Sequence, residues 1–166
     1  TSVGKSFILE SWVEQFVKSN QNCLVIYIVP TRALISEVYS ELQKRLDPNL
    51  TNIVNIQTLP LSNVYQREKS NVFIFTQERL NLFYNHFSQI PKIDVLVVDE
   101  AHKIGDGGRG VILQHVIELT CLNNPDSKVI FASPFTLNPE ILLSDAPILK
   151  NKRTIKSDYV TVNQNL

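Results

Sequence analysis

Val95-Leu96-Val97-Val98-Asp99-Glu100-Ala101-His102 is the stretch that decides the fold. Four apolar residues run straight into two adjacent carboxylates and a histidine. A short, unbroken apolar run reads as a strand covered on both faces, as strands of a parallel sheet are. Open α/β sheets bind ligands at the carboxyl ends of their strands. Asp99, Glu100 and His102 therefore stand where chemistry is expected. Two neighbouring carboxylates repel each other, and a divalent metal on a nucleotide phosphate is the usual compensation. Taken alone, the run reads equally as a strand ending in solvated charges at a turn.

Working outward, similar runs recur. Leu24 to Val29 is a β-rich strand closed by Pro30. Ile53, Val54 and Ile56 suggest another strand, Val72 to Phe75 a further one, and Val129 to Ala132 the last. Helical spacing fills the intervals. From about Thr31 to Leu46, residues Ala33, Leu34, Val38, Leu42 and Leu46 share one side, with Thr31 as N-cap. Thr76 caps a helix reaching about Phe87, with Leu80, Phe83, Tyr84 and Phe87 inward. A Gly-rich turn at Gly105 to Gly108 leads to a helix from about Gly110 to Leu122. A short helix is expected near Pro139 to Leu143, then a polar tail with one extended patch at Tyr159 to Val162. Strand and helix in alternation predict a parallel sheet with helices on both faces.

The chain has 166 residues, of which 43% are hydrophobic, enough to build one core. Lys plus Arg and Asp plus Glu each number 16, so the net charge is zero and neither requires nor excludes a nucleic-acid partner. Cys23 and Cys121 sit among apolar residues and read as buried thiols in a reducing compartment. No apolar run reaches the length of a membrane span, and no signal-peptide pattern opens the chain. An intracellular protein, cytoplasmic or nuclear and without membrane contact, is expected.

The chain opens Thr1-Ser2-Val3-Gly4-Lys5-Ser6, followed by the apolar helix residues Phe7, Ile8, Leu9, Trp12, Val13 and Phe16. Gly-Lys-Ser before a helix is the closing half of a phosphate-binding loop. Gly4 permits close backbone approach, Lys5 would reach the β- and γ-phosphates, and Ser6 would ligate magnesium. By itself this tripeptide fits an ordinary helix start. Paired with Asp99-Glu100, it supplies the other half of a magnesium-nucleotide site.

With these two motifs in place, the chain resembles the first RecA-like domain of a superfamily-two helicase of the DEAD/DEAH-box type. Thr1 to Ser6 resembles the end of motif I, Pro30 to Leu34 motif Ia and Thr76 to Leu80 motif Ib. Asp99 to His102 resembles motif II in its DEAH spelling, and Ala132-Ser133-Pro134 stands where motif III would be. The match covers about residues 1 to 145. Lys103 through Gly110 resembles the superkiller-type branch.

The resemblance implies a RecA-like P-loop NTPase domain over residues 1–149, with its first strand truncated. Residues 150–166 would begin a linker toward a second RecA-like domain carrying arginine fingers. ATP and Mg2+ are the implied cofactors, held by Thr1, Ser2, Val3, Gly4, Lys5, Ser6, Asp99 and Glu100, with Ser6 and Asp99 on the metal. Glu100 would orient or deprotonate the attacking water, with Asp99 and Lys5 completing the catalytic set. Thr31, Arg32, Thr76 and Arg79 would touch a DNA or RNA backbone. The two threonines also fit simple capping, and the two arginines also fit solvated charges. His102 would couple the nucleotide site to Ser133 of motif III, or stand as a surface histidine after a strand. Motif III reads Ala-Ser-Pro, so its hydroxyl must come from Ser133. The implied activity is ATP hydrolysis coupled to translocation on, or unwinding of, nucleic acid. Two alternatives are a non-catalytic RecA-like interaction module and a nucleotide-driven remodeller of protein complexes.

Overall fold

The computed structural model describes residues 3–46, 53–87, 89–101 and 107–133. Helix α1 (Val3–Ser19) leads into strand β1 (Leu24–Ile28), helix α2 (Arg32–Arg45), strand β2 (Val54–Gln57) and strand β3 (Ser70–Phe75). Helix α3 (Gln77–His86), strand β4 (Val95–Val98), helix α4 (Gly107–Asn123) and strand β5 (Lys128–Phe131) follow. A short 3-10 turn at Ser62–Val64, between β2 and β3, has no periodic signal in the sequence.

The described strands form one five-stranded sheet in the order β2-β3-β1-β4-β5. Each neighbouring pair is parallel, as the continuous apolar runs predict. Alternate residues of β1 feed two separate cores. Val25, Tyr27 and Val29 join Leu9, Val13 and Val17 of α1 and Ile35, Val38 and Leu42 of α2. Leu24, Ile26 and Ile28 join Leu80 and Phe83 of α3 and Leu113, Val116 and Ile117 of α4. Helices therefore cover both faces.

This wiring positions the site. The chain leaves β1 toward the α2 face, but leaves β3 and β4 toward the α3 and α4 face. Beside the carboxyl end of β1 the connections thus part to opposite sides and open a crevice, where open α/β sheets bind ligands.

Some expectations shift. Helix α2 starts at Arg32 after its Thr31 cap, so its buried stripe is Ile35, Val38 and Leu42, and Ala33 is exposed. Phe7 and Ile8 are 57% and 67% exposed despite their apolar character; they lie outside both cores. The Arg45 guanidinium stands 4.3 Å over the Phe7 ring and covers part of it. Helix α4 begins at Gly107 rather than near Gly110. Gly107 enters it at φ +56°, a conformation open to a residue without Cβ, so Gly107 and Gly108 of the expected turn belong to the helix. The short helix near Pro139, the extended patch at Tyr159 and the boundary after residue 149 lie outside the described residues. Among the described residues no helix is long and apolar enough to cross a membrane. Cys23 and Cys121 are buried free thiols.

The core on the α3 side is aromatic. Phe83 is fully buried and its ring lies 5.6 Å from Phe73, 5.8 Å from Phe75 and 4.4 Å from Phe87. Truncation to Ala removes those contacts and leaves a cavity, at a cost of about 3–5 kcal/mol. Urea titration of Phe83→Ala should show its midpoint well below the parent's. A loss under about 1 kcal/mol, the scale of a surface change, would contradict this packing.

Candidate functional site

Two ends meet in the crevice: the first turn of α1 and the residues following β4. Lys5 Nζ lies 2.6 Å from Glu100 Oε1 and 3.2 Å from Asp99 Oδ1, although Lys5 and Glu100 are 95 residues apart in sequence. The Asp99 side chain is only 5% exposed and that of Glu100 17%. Partly desolvated carboxylates side by side need a shared cation, and Lys5 supplies it. The Asp99 amide donates to Ile28 O at 2.9 Å, and the Glu100 amide donates to Asp99 Oδ1 at 2.9 Å. These bonds fix the pair at the sheet edge. Glu100 takes φ +55°, a left-handed backbone that costs a non-glycine residue on the order of 1–3 kcal/mol. Such strain persists where surrounding structure enforces it, often at a functional site.

Val3, Gly4, Lys5 and Ser6 occupy the first turn of α1, the end at which a helix presents its amides outward. A Cβ added at Gly4 would meet no heavy atom within 4 Å, so space lies open beside this turn. Thr1 and Ser2 lie outside the described residues. Magnesium takes hard oxygen donors, usually one or two from protein with the rest from phosphate and water. The Ser6 hydroxyl and Asp99 carboxylate fit that chemistry. Among the described residues no group of three or more His, Cys, Asp or Glu gathers. One hydroxyl and one carboxylate suit an ion whose remaining ligands come from phosphate and water.

A cleft of about 100 Å³ is lined by Asp99, Glu100, Pro30, Gln77 and Arg109 together with the apolar Ile28 and Leu113. Thr31 and Arg32, just beyond Pro30, are exposed. The Thr31 hydroxyl accepts from the Leu34 amide at 3.3 Å. Thr76 is buried, and its hydroxyl accepts from the Arg79 amide at 3.4 Å. Arg79 is partly buried and donates from its guanidinium to Thr58 O at 2.6 Å. Thr31 and Arg32 thus face solvent, whereas Thr76 and Arg79 are turned to the protein itself. Ser133 follows β5, next to Ala132, whose carbonyl accepts from the Ala101 amide at 2.9 Å. Ala132, and with it the start of the segment read as motif III, is thus bonded to Val98 and Ala101, the residues flanking the carboxylate pair. His102 lies outside the described residues.

Sequence reasoning missed Tyr27 and Arg109. Tyr27 is fully buried, and its hydroxyl has no hydrogen-bond partner among the described residues. Burial pushes its phenol far above the ordinary range, and the charges of Asp99 and Glu10 add to the shift. A tyrosine inside an otherwise aliphatic strand was the available signal. Burial also raises the Glu10 carboxyl, against the opposing charge of Arg45.

Comparison with known proteins bears on the family and the fold. A family model described as DEAD/DEAH box helicase matches residues 1–138. The ATP-dependent DNA helicase Hel308 of Thermoplasma acidophilum is 29% identical over 153 residues, covering 91% of this chain and 22% of the relative. The Hel308 of Methanocaldococcus jannaschii is 31% identical over 150 residues, 86% of this chain and 12% of the relative. The chain therefore spans less than a quarter of either relative. Among solved structures, S. cerevisiae Dbp5 bound to Nup159, Gle1, IP6 and ADP superposes with a TM-score of 0.61 at 21% identity, covering 87% of this chain and 39% of that one. The yeast DEAD-box splicing factor Prp28 gives 0.54 at 16% identity, covering 76% of this chain and 31% of its own. Both share the fold.

Proposed function

This chain belongs to the DEAD/DEAH box helicase family, and from that premise we propose that it is the ATP-binding RecA-like domain of a nucleic-acid-dependent ATPase. One observation carries the site assignment: Lys5 reaches both Asp99 and Glu100 across the crevice. A lysine at a helix start, a hydroxyl beside it and a desolvated carboxylate pair make up the parts of a phosphoryl-transfer site.

Each residue then has a task. Lys5 would leave the carboxylates for the β- and γ-phosphates, while the first-turn amides of α1, including those of Gly4 and Ser6, face the phosphates. Ser6 and Asp99 would hold magnesium, whose charge, when bound, polarises the phosphate oxygens. With Lys5 drawn to the phosphates, Glu100, which lines the cleft, would orient and deprotonate a water there. His102 and Ser133 would pass the state of this site to neighbouring segments. Residues 150–166 would connect to a second RecA-like domain supplying arginine charge. An intracellular setting follows from a substrate such as ATP.

Thr31 and Arg32 would contact a nucleic-acid backbone directly, since both are exposed beside a helix start. Thr76 and Arg79 would act mainly by shaping their loop, with the first-turn amides of α3 as the contact. The archaeal relatives are named as DNA helicases, which favours DNA as the partner. Lys5, Ser6, Asp99 and Glu100 together speak against a module without catalysis.

Binding by the full-length protein should fall steeply with salt, by about 0.7 in log K per phosphate contact per log unit of salt for single strands. Filter binding with DNA and RNA oligonucleotides across a salt series measures that slope. Arg32→Ala should reduce it by roughly one contact. A flat response to salt would point instead to a motor acting on protein.

A further inference from the structure

Arg109 lies in the segment after the carboxylate pair and is not used by the site described above. It stands in the first turn of α4 and lines the same cleft as Asp99 and Glu100. Its guanidinium makes two long-range contacts in different directions. Nη2 donates to Pro30 O at 2.8 Å, across 79 residues of sequence. Nε donates to Glu78 Oε1 at 2.9 Å, across 31 residues. Pro30 immediately precedes Thr31 and Arg32. Glu78 lies in the first turn of α3, between the Thr76 cap and Arg79.

One planar group therefore joins three helix starts. Arginine suits this task because its donors diverge from a rigid fork, whereas a lysine ammonium is a point charge on a flexible stem. The Glu78 pair is largely exposed, with side chains 42% and 56% accessible, so it adds little to stability as an isolated ion pair. Burial alone would raise the Glu78 carboxyl, but hydrogen bonds from Arg109, Thr76 and its own amide bring it below the usual range. Glu78 is thus held as an acceptor. The Pro30 carbonyl, closing β1, is the partly buried end of the bridge.

We propose that Arg109 is a positioning residue that locks the Pro30–Arg32 loop and the first turn of α3 into one fixed relation beside Asp99 and Glu100. It joins the nucleic-acid-facing loops to the helix that follows the nucleotide carboxylates. The positional part rests on geometry alone; its effect on nucleic-acid response rests on the function proposed above.

Two readouts on the full-length protein separate these parts. Hydrogen exchange reads the lock itself. In Arg109→Ala, amides of residues 31–35 and 77–80 should exchange about tenfold faster or more, while those of β4 keep their protection. Arg109→Lys should resemble Arg109→Ala, because the charge remains but the fork is lost. Unchanged exchange in both segments, full rescue by lysine, or uniform loosening of the whole domain would overturn the proposal. Nucleic-acid-stimulated ATPase reads the consequence. Arg109→Ala should raise the DNA concentration for half-maximal stimulation about tenfold and leave the KM for ATP within about twofold. Glu78→Gln should shift it in the same direction, with a double variant less than additive. A parallel rise in KM for ATP would assign Arg109 to the nucleotide instead. If the parent protein shows no stimulation by DNA, the functional reading fails, while hydrogen exchange still decides whether the lock exists.

Discussion

Replacing Glu100 by Gln in the full-length protein is expected to lower ATP turnover by about a hundred- to ten-thousandfold while leaving nucleotide binding intact. The magnitude is that of removing a general base. The substitution isolates that role well. Glutamine matches glutamate in shape, carries the same left-handed backbone at φ +55°, and keeps a carbonyl oxygen for Lys5, 2.6 Å away in the parent. Only the charge and the proton affinity disappear. Lys5 and the first turn of α1, to which we assign phosphate binding, are untouched. Losing one negative charge beside the phosphates should, if anything, strengthen binding. Single-turnover hydrolysis together with titration of a fluorescent ATP analogue separates the two effects. Turnover within tenfold of the parent would remove Glu100 from the base role. Loss of binding in step with turnover would make the residue structural.

The second large effect concerns the chain by itself. Residues 1–166 alone should hydrolyse ATP at least about a thousandfold more slowly than the complete protein and should not separate a duplex. Phosphoryl transfer spreads negative charge over the equatorial oxygens, and an added arginine can be worth on the order of a thousandfold or more. Among the described residues, Lys5 is the cation seated at the carboxylates. Arg109, which lines the cleft, donates to Pro30 O and Glu78 Oε1. In our reading, the arginine charge comes from a second RecA-like domain. Comparing steady-state hydrolysis by the chain and by the complete protein, at saturating ATP and DNA, checks this. Efficient unwinding by the short chain would overturn it.

Much of this was legible in residue order because burial on both faces leaves a plain mark. Val95–Val98 was read as a strand and is one, bounded at the same residues. Thr31 and Thr76 announced their helices, since a capping hydroxyl before a periodic stretch is a local signal. The pairing of Gly-Lys-Ser with Asp-Glu was legible because each motif makes incomplete chemistry without the other. Less legible was anything set by distant neighbours. Arg79 read as a surface charge or phosphate contact, but its direction depends on Thr58 O, supplied by a loop with no periodic pattern. Arg109 lay within a stretch singled out only by resemblance, because its two acceptors come from other segments. Phe7 and Ile8 read as apolar helix residues, yet apolar character does not fix the angle at which a helix meets its sheet.

Strand order also bears on how the chain is made. The central strand, β1, finds its two hydrogen-bonding partners only at residues 71–75 and 95–98, far later in synthesis. Until those segments emerge, Leu24–Ile28 is a short, uncharged, β-prone segment with both edges open. No hairpin can protect it early, because every pairing in this sheet is parallel and needs a crossover. Helices α1 and α2 can cover one of its faces, but neither of its edges. The placement that brings Asp99 and Glu100 beside the central strand thus leaves a β-prone segment of the nascent chain unpaired until residues 71–75 and 95–98 have emerged. Slow emergence or chaperone cover of residues 24–98 should matter more for the yield of folded protein than a typical surface substitution.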